Sequence, residues 1–329
     1  MAVPYGSELR VGLEAVRLAA KVCQSVQSAI TTEALAKKDN SPVTVADYGS
    51  QAIVCRALKN AFPNDPVIGE EGAAELRTPA GSAFLDQVVR EVSSAGVTGT
   101  PEEICDWIDH GGSSEYSPRF WTLDPIDGTK GFLRKEQYAI SLALIINGQI
   151  ELGILGCPNM PMPDGTAGVI AWAIRGHGAW QQSLSAPDSA PQAIKVSFTS
   201  TPSELVFCES VESGHSSHDW SGLIASDLQI HREPVRMDSQ CKYLAVARGD
   251  ADLYLRLPTR KGYQEKIWDH AGGVLIVQEA GGHVTDINGQ LCDFRQGASL
   301  SKNVGMAVTN GRVHPIVINA IARHAPKDA

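Results

Sequence analysis

Trp121-Thr122-Leu123-Asp124-Pro125-Ile126-Asp127-Gly128-Thr129-Lys130-Gly131-Phe132 is the densest run of chemistry in this 329-residue chain. An apolar approach delivers two carboxylates three positions apart, and the proline between them stiffens the turn. Gly128 and Thr129 follow, where a helix can begin. Such a turn can aim two carboxylates and one carbonyl oxygen at a hard cation, and the free N–H groups of Gly128 and Thr129 at an anion. The same residues also make an ordinary Asp-Pro, Asp-Gly turn with a capping threonine. Two superficial matches fail. Phosphatases with a covalent aspartate space their aspartates two apart, and the ligand pattern of a calcium-binding EF-hand loop is absent.

Outward from this turn, the pattern alternates between helix and strand periods. Apolar positions recur at helical spacing over 8–30, with Ser7 as the expected N-cap. A second helix is expected from about Ala46 to Phe62, stopping before Pro63. Val67-Ile68-Gly69 reads as a short buried strand ending in Glu70-Glu71. Residues 73–118 are rich in Gly, Ser and acids, and read as an inserted lobe or lid with one helix, outside the core. Tyr138–Ile146 and Ile150–Cys157 read as a hairpin through Asn147-Gly148, and Val169–Ile174 as a further strand. A Ser/Ala/Pro-rich stretch at 181–193 is the expected boundary, giving an N-terminal half 1–190 and a C-terminal half 191–329. Leu205–Phe207 and Ala251–Leu257 read as strands, and Trp268–Ala280 as a helix closed by Gly281-Gly282. Alternating helices and strands imply layered α/β packing.

Composition limits the function. With 28 Lys+Arg against 37 Asp+Glu the net charge is -9, which argues against binding nucleic-acid polymers through a basic surface. No apolar run approaches the ~18 residues of a membrane span, and the start lacks a secretory signal, so a soluble, cytoplasmic protein is expected. The seven cysteines are scattered without a CxxC pair. They read as reduced core thiols, and zinc-ligand spacing is absent.

Three further acid-bearing element ends accompany the turn. Gly69-Glu70-Glu71-Gly72 ends a strand, and Trp268-Asp269-His270-Ala271-Gly272-Gly273 places Asp269 in the expected first turn of a helix. Asp39-Asn40-Ser41-Pro42-Val43-Thr44-Val45-Ala46-Asp47 places Asp47 at an expected helix start. Each alone is an ordinary solvated acid or cap. Together, Gly-Glu-Glu at 69–71, Asp-Pro-Ile-Asp-Gly-Thr at 124–129 and Trp-Asp-His-Ala-Gly-Gly at 268–273 resemble the three signatures of the inositol monophosphatase superfamily. They fall in the same order, and the resemblance runs from about Leu9 to Ile318. It implies an αβαβα sandwich and a magnesium-dependent, lithium-sensitive phosphatase.

Within that superfamily the chain resembles the 3′(2′),5′-bisphosphate nucleotidase branch, in its plant and fungal form. The resembling stretches are 39–44, 127–134, 214–219, 238–243 and 254–258, and the long connection from Glu70 to Asp124 fits. The resemblance implies that Glu70, Asp124, Asp127 and Asp269, with the Ile126 carbonyl, hold two to three Mg²⁺ ions. It implies that Asp47 and Thr129 orient and deprotonate the attacking water. Gly128, Thr129, His215, Ser239, Lys242, Arg256 and Asp269 would hold the nucleotide; spacing alone does not separate His215 from His218, and Lys242 and Arg256 also fit plain surface cations. The implied reaction removes the 3′-phosphate of adenosine 3′,5′-bisphosphate to leave AMP, with adenosine 3′-phosphate 5′-phosphosulfate as second substrate. An inositol phosphatase and a catalytically silent nucleotide sensor are the alternatives on the same fold.

Overall fold

The computed structural model describes residues 4–30, 41–211, 217–260 and 262–326; Asp39, Asn40 and His215 lie outside them. Two helices with apolar faces form the first layer. α1 (Gly6–Ala29) buries Val16, Ala19, Ala20 and Cys23 against α2 (Ser41–Ala61). Ser7 is not the cap: Tyr5 holds that position in a left-handed conformation, and the Ser7 hydroxyl bonds Glu8 inside the first turn. α2 begins at Ser41 and not at Ala46, so Asp47 lies within the helix and not at its start. Pro42 suits a helical first turn, where its missing N–H costs nothing.

After β1 (Val67–Gly69) the chain makes two helices where one was expected, α3 (Ser82–Ser94) and α4 (Pro101–Asp109). Val88, Val92, Ile104, Cys105 and Ile108 are fully buried and join the core formed by α1 and α2. Residues 73–118 are therefore part of the core, contrary to the sequence expectation. The acids that obscured the periodicity serve the helix ends. Thr100 and Glu103 form a reciprocal capping box with Pro101 at the first helical position.

The central sheet follows chain order from β1 through β2 (Arg119–Asp127), β3 (Ala139–Ile146), β4 (Gln149–Pro161), β5 (Ala167–Ile174) and β6 (Ala179–Ser183) to β7 (Gln192–Ile194). Only β1 and β2 run parallel. The Asn147-Gly148 hairpin forms as expected, with Ile146 opposite Gln149 and both turn residues at positive φ. The stretch 181–193 carries the end of β6 and most of β7, so the first sheet continues to Ile194.

A second, five-stranded sheet takes the order β11-β12-β10-β8-β9. Its strands are β8 (Phe207–Glu209), β9 (Val235–Arg236), β10 (Leu253–Arg256), β11 (His283–Thr285) and β12 (Met306–Thr309). A short helix α5 (Thr129–Leu133) follows β2, and α6 (His218–Asp227), α7 (Cys241–Ala247), α8 (Ala271–Glu279) and α9 (His314–Arg323) are the later helices among the described residues. α7 and α8 lie between the two sheets, while α6 and α9 cover the outer face of the second. The architecture is the expected αβαβα sandwich. All seven cysteines are free, six of them buried. Among the described residues no helix is long and apolar enough to cross a membrane.

Ile104, on α4, tests whether residues 73–118 belong to the core. Ile104→Ala should cost about 2–5 kcal/mol in global denaturant unfolding, as for other buried large-to-Ala changes. An unchanged midpoint would mean that α4 unfolds apart from the main core.

Candidate active site

Side chains on a strand alternate between faces, so carboxylates three residues apart in β2 should point opposite ways. A β-bulge prevents this. Asp124 pairs with Ser141 and Asp127 with Ala139, so β2 carries one residue more than β3 between the two acids. Pro125 has no N–H to give the ladder, the Ile126 N–H turns back to Asp124 Oδ1 at 3.1 Å, and Ser50 on α2 donates to the Pro125 carbonyl at 2.9 Å. Parallel pairing sets Gly69 beside Leu123, which brings Glu70 next to Asp124 at the same strand ends.

A cavity of about 540 Å³ opens there, lined by both halves of the chain. Glu70, Asp124, Ile126, Asp127, Gly128 and Thr129 come from the first; Arg256, Glu265 and Asp269 come from the second. Asp269 is not in the first turn of α8 as expected. The helix begins at Ala271, and Asp269 sits in a turn closed by His270 and Ala271 N–H bonds to the Ile267 carbonyl. Asp47 is buried on α2, one turn before Ser50, and lies outside the cavity lining.

The acids crowd one another. Desolvation, then Asp269 and Glu71, push Glu70 up to about 7 despite a hydrogen bond with Asp124. Asp269 is pushed to about 6 by desolvation and Asp127, against the pull of Arg256. Burial, followed by Glu70, Asp127, Asp269 and Asp47, holds Asp124 far above the usual carboxylate range. Asp47 is raised likewise by burial, Glu71 and Glu70. Oxygen ligands converging with surplus negative charge fit a hard divalent cation, which would relieve the repulsion.

Gly128 adopts φ 92°, and a Cβ there would stand 2.9 Å from the Ser239 Cβ. This close approach joins the acidic turn to the segment carrying Ser239 and Lys242. The Gln240 N–H donates to Asp127 Oδ2 at 2.5 Å. α5 has only five residues, too short to build an anion site at its N-terminus. Lys242 is buried, not a surface cation; its Nζ donates to the Met237 carbonyl at 3.3 Å and lies 5.1 Å from the centre of the Tyr254 ring. Ser239 and Lys242 stand behind the cavity wall, whereas Arg256 lines it directly.

Sequence reasoning missed two residues. Glu265, 3% exposed, pairs with Arg256 Nε at 2.7 Å and His270 Nε2 at 3.1 Å. Burial would raise its pKa, but the His270 and Arg256 contacts outweigh that and lower it. Gln240 accepts from Ser141 and from the Gly273 N–H, and donates to the Trp268 carbonyl. Their only sequence signal is proximity to Asp269 and Ser239.

The model of the inositol monophosphatase family matches residues 8–325. The chain belongs to that family. A curated relative in Schizosaccharomyces pombe, named 3′(2′),5′-bisphosphate nucleotidase, is 43% identical over 98% of this chain and 97% of its own. One of the same name in Oryza sativa is 43% identical, covering 97% and 94%. The solved Thermotoga maritima IMPase shares the fold with a TM-score of 0.64 at 18% identity, over 98% of this chain and all of its own. The expected family and its plant and fungal branch resemblance are thus borne out.

Metal addition should be visible in thermal unfolding. Mg²⁺ should stabilise this family member by roughly 2.7 kcal/mol at about 100 times its Kd. The effect should grow from about pH 6 to pH 8, because Glu70 and Asp269 must lose their protons to bind a cation. Without metal the sign reverses. Folded Glu70 keeps a proton to about pH 7 that the unfolded chain releases near 4.5, so stability falls as pH rises through that window. Asp124→Asn should abolish the Mg²⁺ effect without lowering the metal-free melting temperature.

Proposed function

We propose that this chain is a 3′(2′),5′-bisphosphate nucleotidase that removes the 3′-phosphate of adenosine 3′,5′-bisphosphate to leave AMP. Adenosine 3′-phosphate 5′-phosphosulfate is its second substrate. The observation that carries this reading is one cavity lined by both clustered carboxylates and the Arg256 guanidinium. That pairing suits a substrate with two anionic groups, one cleaved and one held. The curated relatives' name supports it.

In this reading Glu70, Asp124, Asp127, Asp269 and the Ile126 carbonyl hold two to three Mg²⁺ ions. Bound there, Mg²⁺ supplies charge neutralisation at phosphorus and lowers the pKa of a coordinated water. Asp47 and the Thr129 hydroxyl would orient the attacking water, with Asp47 as the acceptor of its proton. Arg256 forks hydrogen bonds onto the uncleaved phosphate, and Lys242 adds a fixed positive charge behind it. Ser239, Gly128 and His215 complete the nucleotide's surroundings. With water as the nucleophile no phosphoenzyme forms, so configuration at phosphorus inverts. Inhibition by Li⁺ belongs to the same reading.

Phosphate release with Mg²⁺ from adenosine 3′,5′-bisphosphate, compared with inositol 1-phosphate, tests the proposal. The bisphosphate should be preferred, and preference for the inositol ester would overturn it. Arg256→Ala should cut kcat/KM for the bisphosphate by roughly 10–100-fold, the worth of a charged hydrogen bond, and spare the inositol ester. Asp124→Asn should abolish release of phosphate from both. Retained configuration with a chiral phosphate would exclude direct attack by water.

A further inference from the structure

Arg256 ends β10 at the cavity, and its guanidinium could swing onto any of the facing carboxylates. Instead its Nε lies 2.7 Å from Glu265 Oε2, while Nη2 lies 3.5 Å from both Asp269 Oδ2 and the Tyr263 hydroxyl. The same Glu265 oxygen meets His270 Nε2 at 3.1 Å, and His270 Nδ1 meets the Tyr243 hydroxyl at 2.7 Å. Glu265, His270 and Tyr243 are all at most 3% exposed. The proton order follows from chemistry. An ionised Glu265 only accepts, so His270 Nε2–H donates to it, and Nδ1 accepts from the Tyr243 O–H.

We infer that the buried relay Tyr243–His270–Glu265 is a positioning device that holds the Arg256 guanidinium through its ion pair with Glu265. The guanidinium N–H groups then stay turned to the phosphate that is not cleaved. Glu265 is thus a positioning residue for substrate selection and not a fifth metal-binding acid, although its carboxylate lies close enough to Asp269 and His270 to suggest one. Three segments meet in the relay: β10, the turn before α8, and α7, the helix that also carries Lys242. Their joining sets the distance between the cleavage centre and the second phosphate. The inference rests on the nucleotidase reading for its substrate, and on geometry alone for the relay.

The test compares adenosine 3′,5′-bisphosphate with adenosine 3′-monophosphate, which lacks the 5′-phosphate. Glu265→Gln should raise KM for the bisphosphate about tenfold or more, as when a buried cation loses its paired charge, with kcat and 3′-monophosphate hydrolysis nearly unchanged. AMP affinity by calorimetry should fall by the same factor. In an Arg256→Ala background, Glu265→Gln should cost nothing further, since the two act as one unit. Tyr243→Phe removes a single oxygen and should shift KM in the same direction by less; an unchanged KM would remove Tyr243 from the relay. Equal losses for both nucleotides, additive losses in the double variant, or a raised Mg²⁺ requirement at constant KM would overturn the inference. If the wild-type chain hydrolyses neither nucleotide, the nucleotidase reading fails by itself. The relay is then judged by NMR of the Arg256 guanidinium. Restricted guanidinium rotation that is lost in Glu265→Gln upholds it, and equal rotation in both proteins overturns it.

Discussion

Carboxylates held together in one cavity raise each other's affinity for protons, and this repulsion is the constraint around which the chain is arranged. Glu70, Asp124, Asp127 and Asp269 come from a strand end, a bulge and a turn, and no local preference would assemble them. The surrounding packing must hold them against their own charge. The fully buried Leu123, Trp121 and Ile68 anchor the two strands that carry the first three. At the second wall Arg256 sits between Asp269 and Glu265, so that these two acids each meet an opposite charge.

The cavity's two walls belong to different sheets, yet their separation is fixed by short contacts. Asp127 takes the Gln240 N–H, and Gln240 in turn grips Ser141, Trp268 and Gly273. One amide side chain therefore touches β3, the turn of Asp269 and the start of α8. A glutamine suits this place because it offers both an acceptor and two donors on one rigid plane.

Much of this was legible in the sequence, and what escaped did so for physical reasons. The turn at 121–132 and the Asn147-Gly148 hairpin announce themselves through residues with few conformational options. The order of acid-bearing motifs implied five layers and a family, both of which hold. The β-bulge that makes Asp124 and Asp127 face one way is invisible, because an extra residue in one strand is defined only by its partner. α3 and α4 were read as one helix in a lobe because their caps use the same Gly, Ser, Thr and Glu that mark loops. Asp47 and Asp269 read as helix-start residues, but α2 begins earlier, at Ser41, and α8 later, at Ala271. Glu265 sits among ordinary polar residues; only the approach of Arg256 from another strand shows its use.

The layer of α7 and α8 has a consequence for how the molecule is divided. Its core takes Ala143, Leu155 and Ala171 from the first sheet and Tyr254, Val284 and Val308 from the second. That core has no internal boundary, so a cut between the sheets would bare two apolar faces at once. The two halves, although each has its own sheet, share this core, and separating them would expose apolar surface on both.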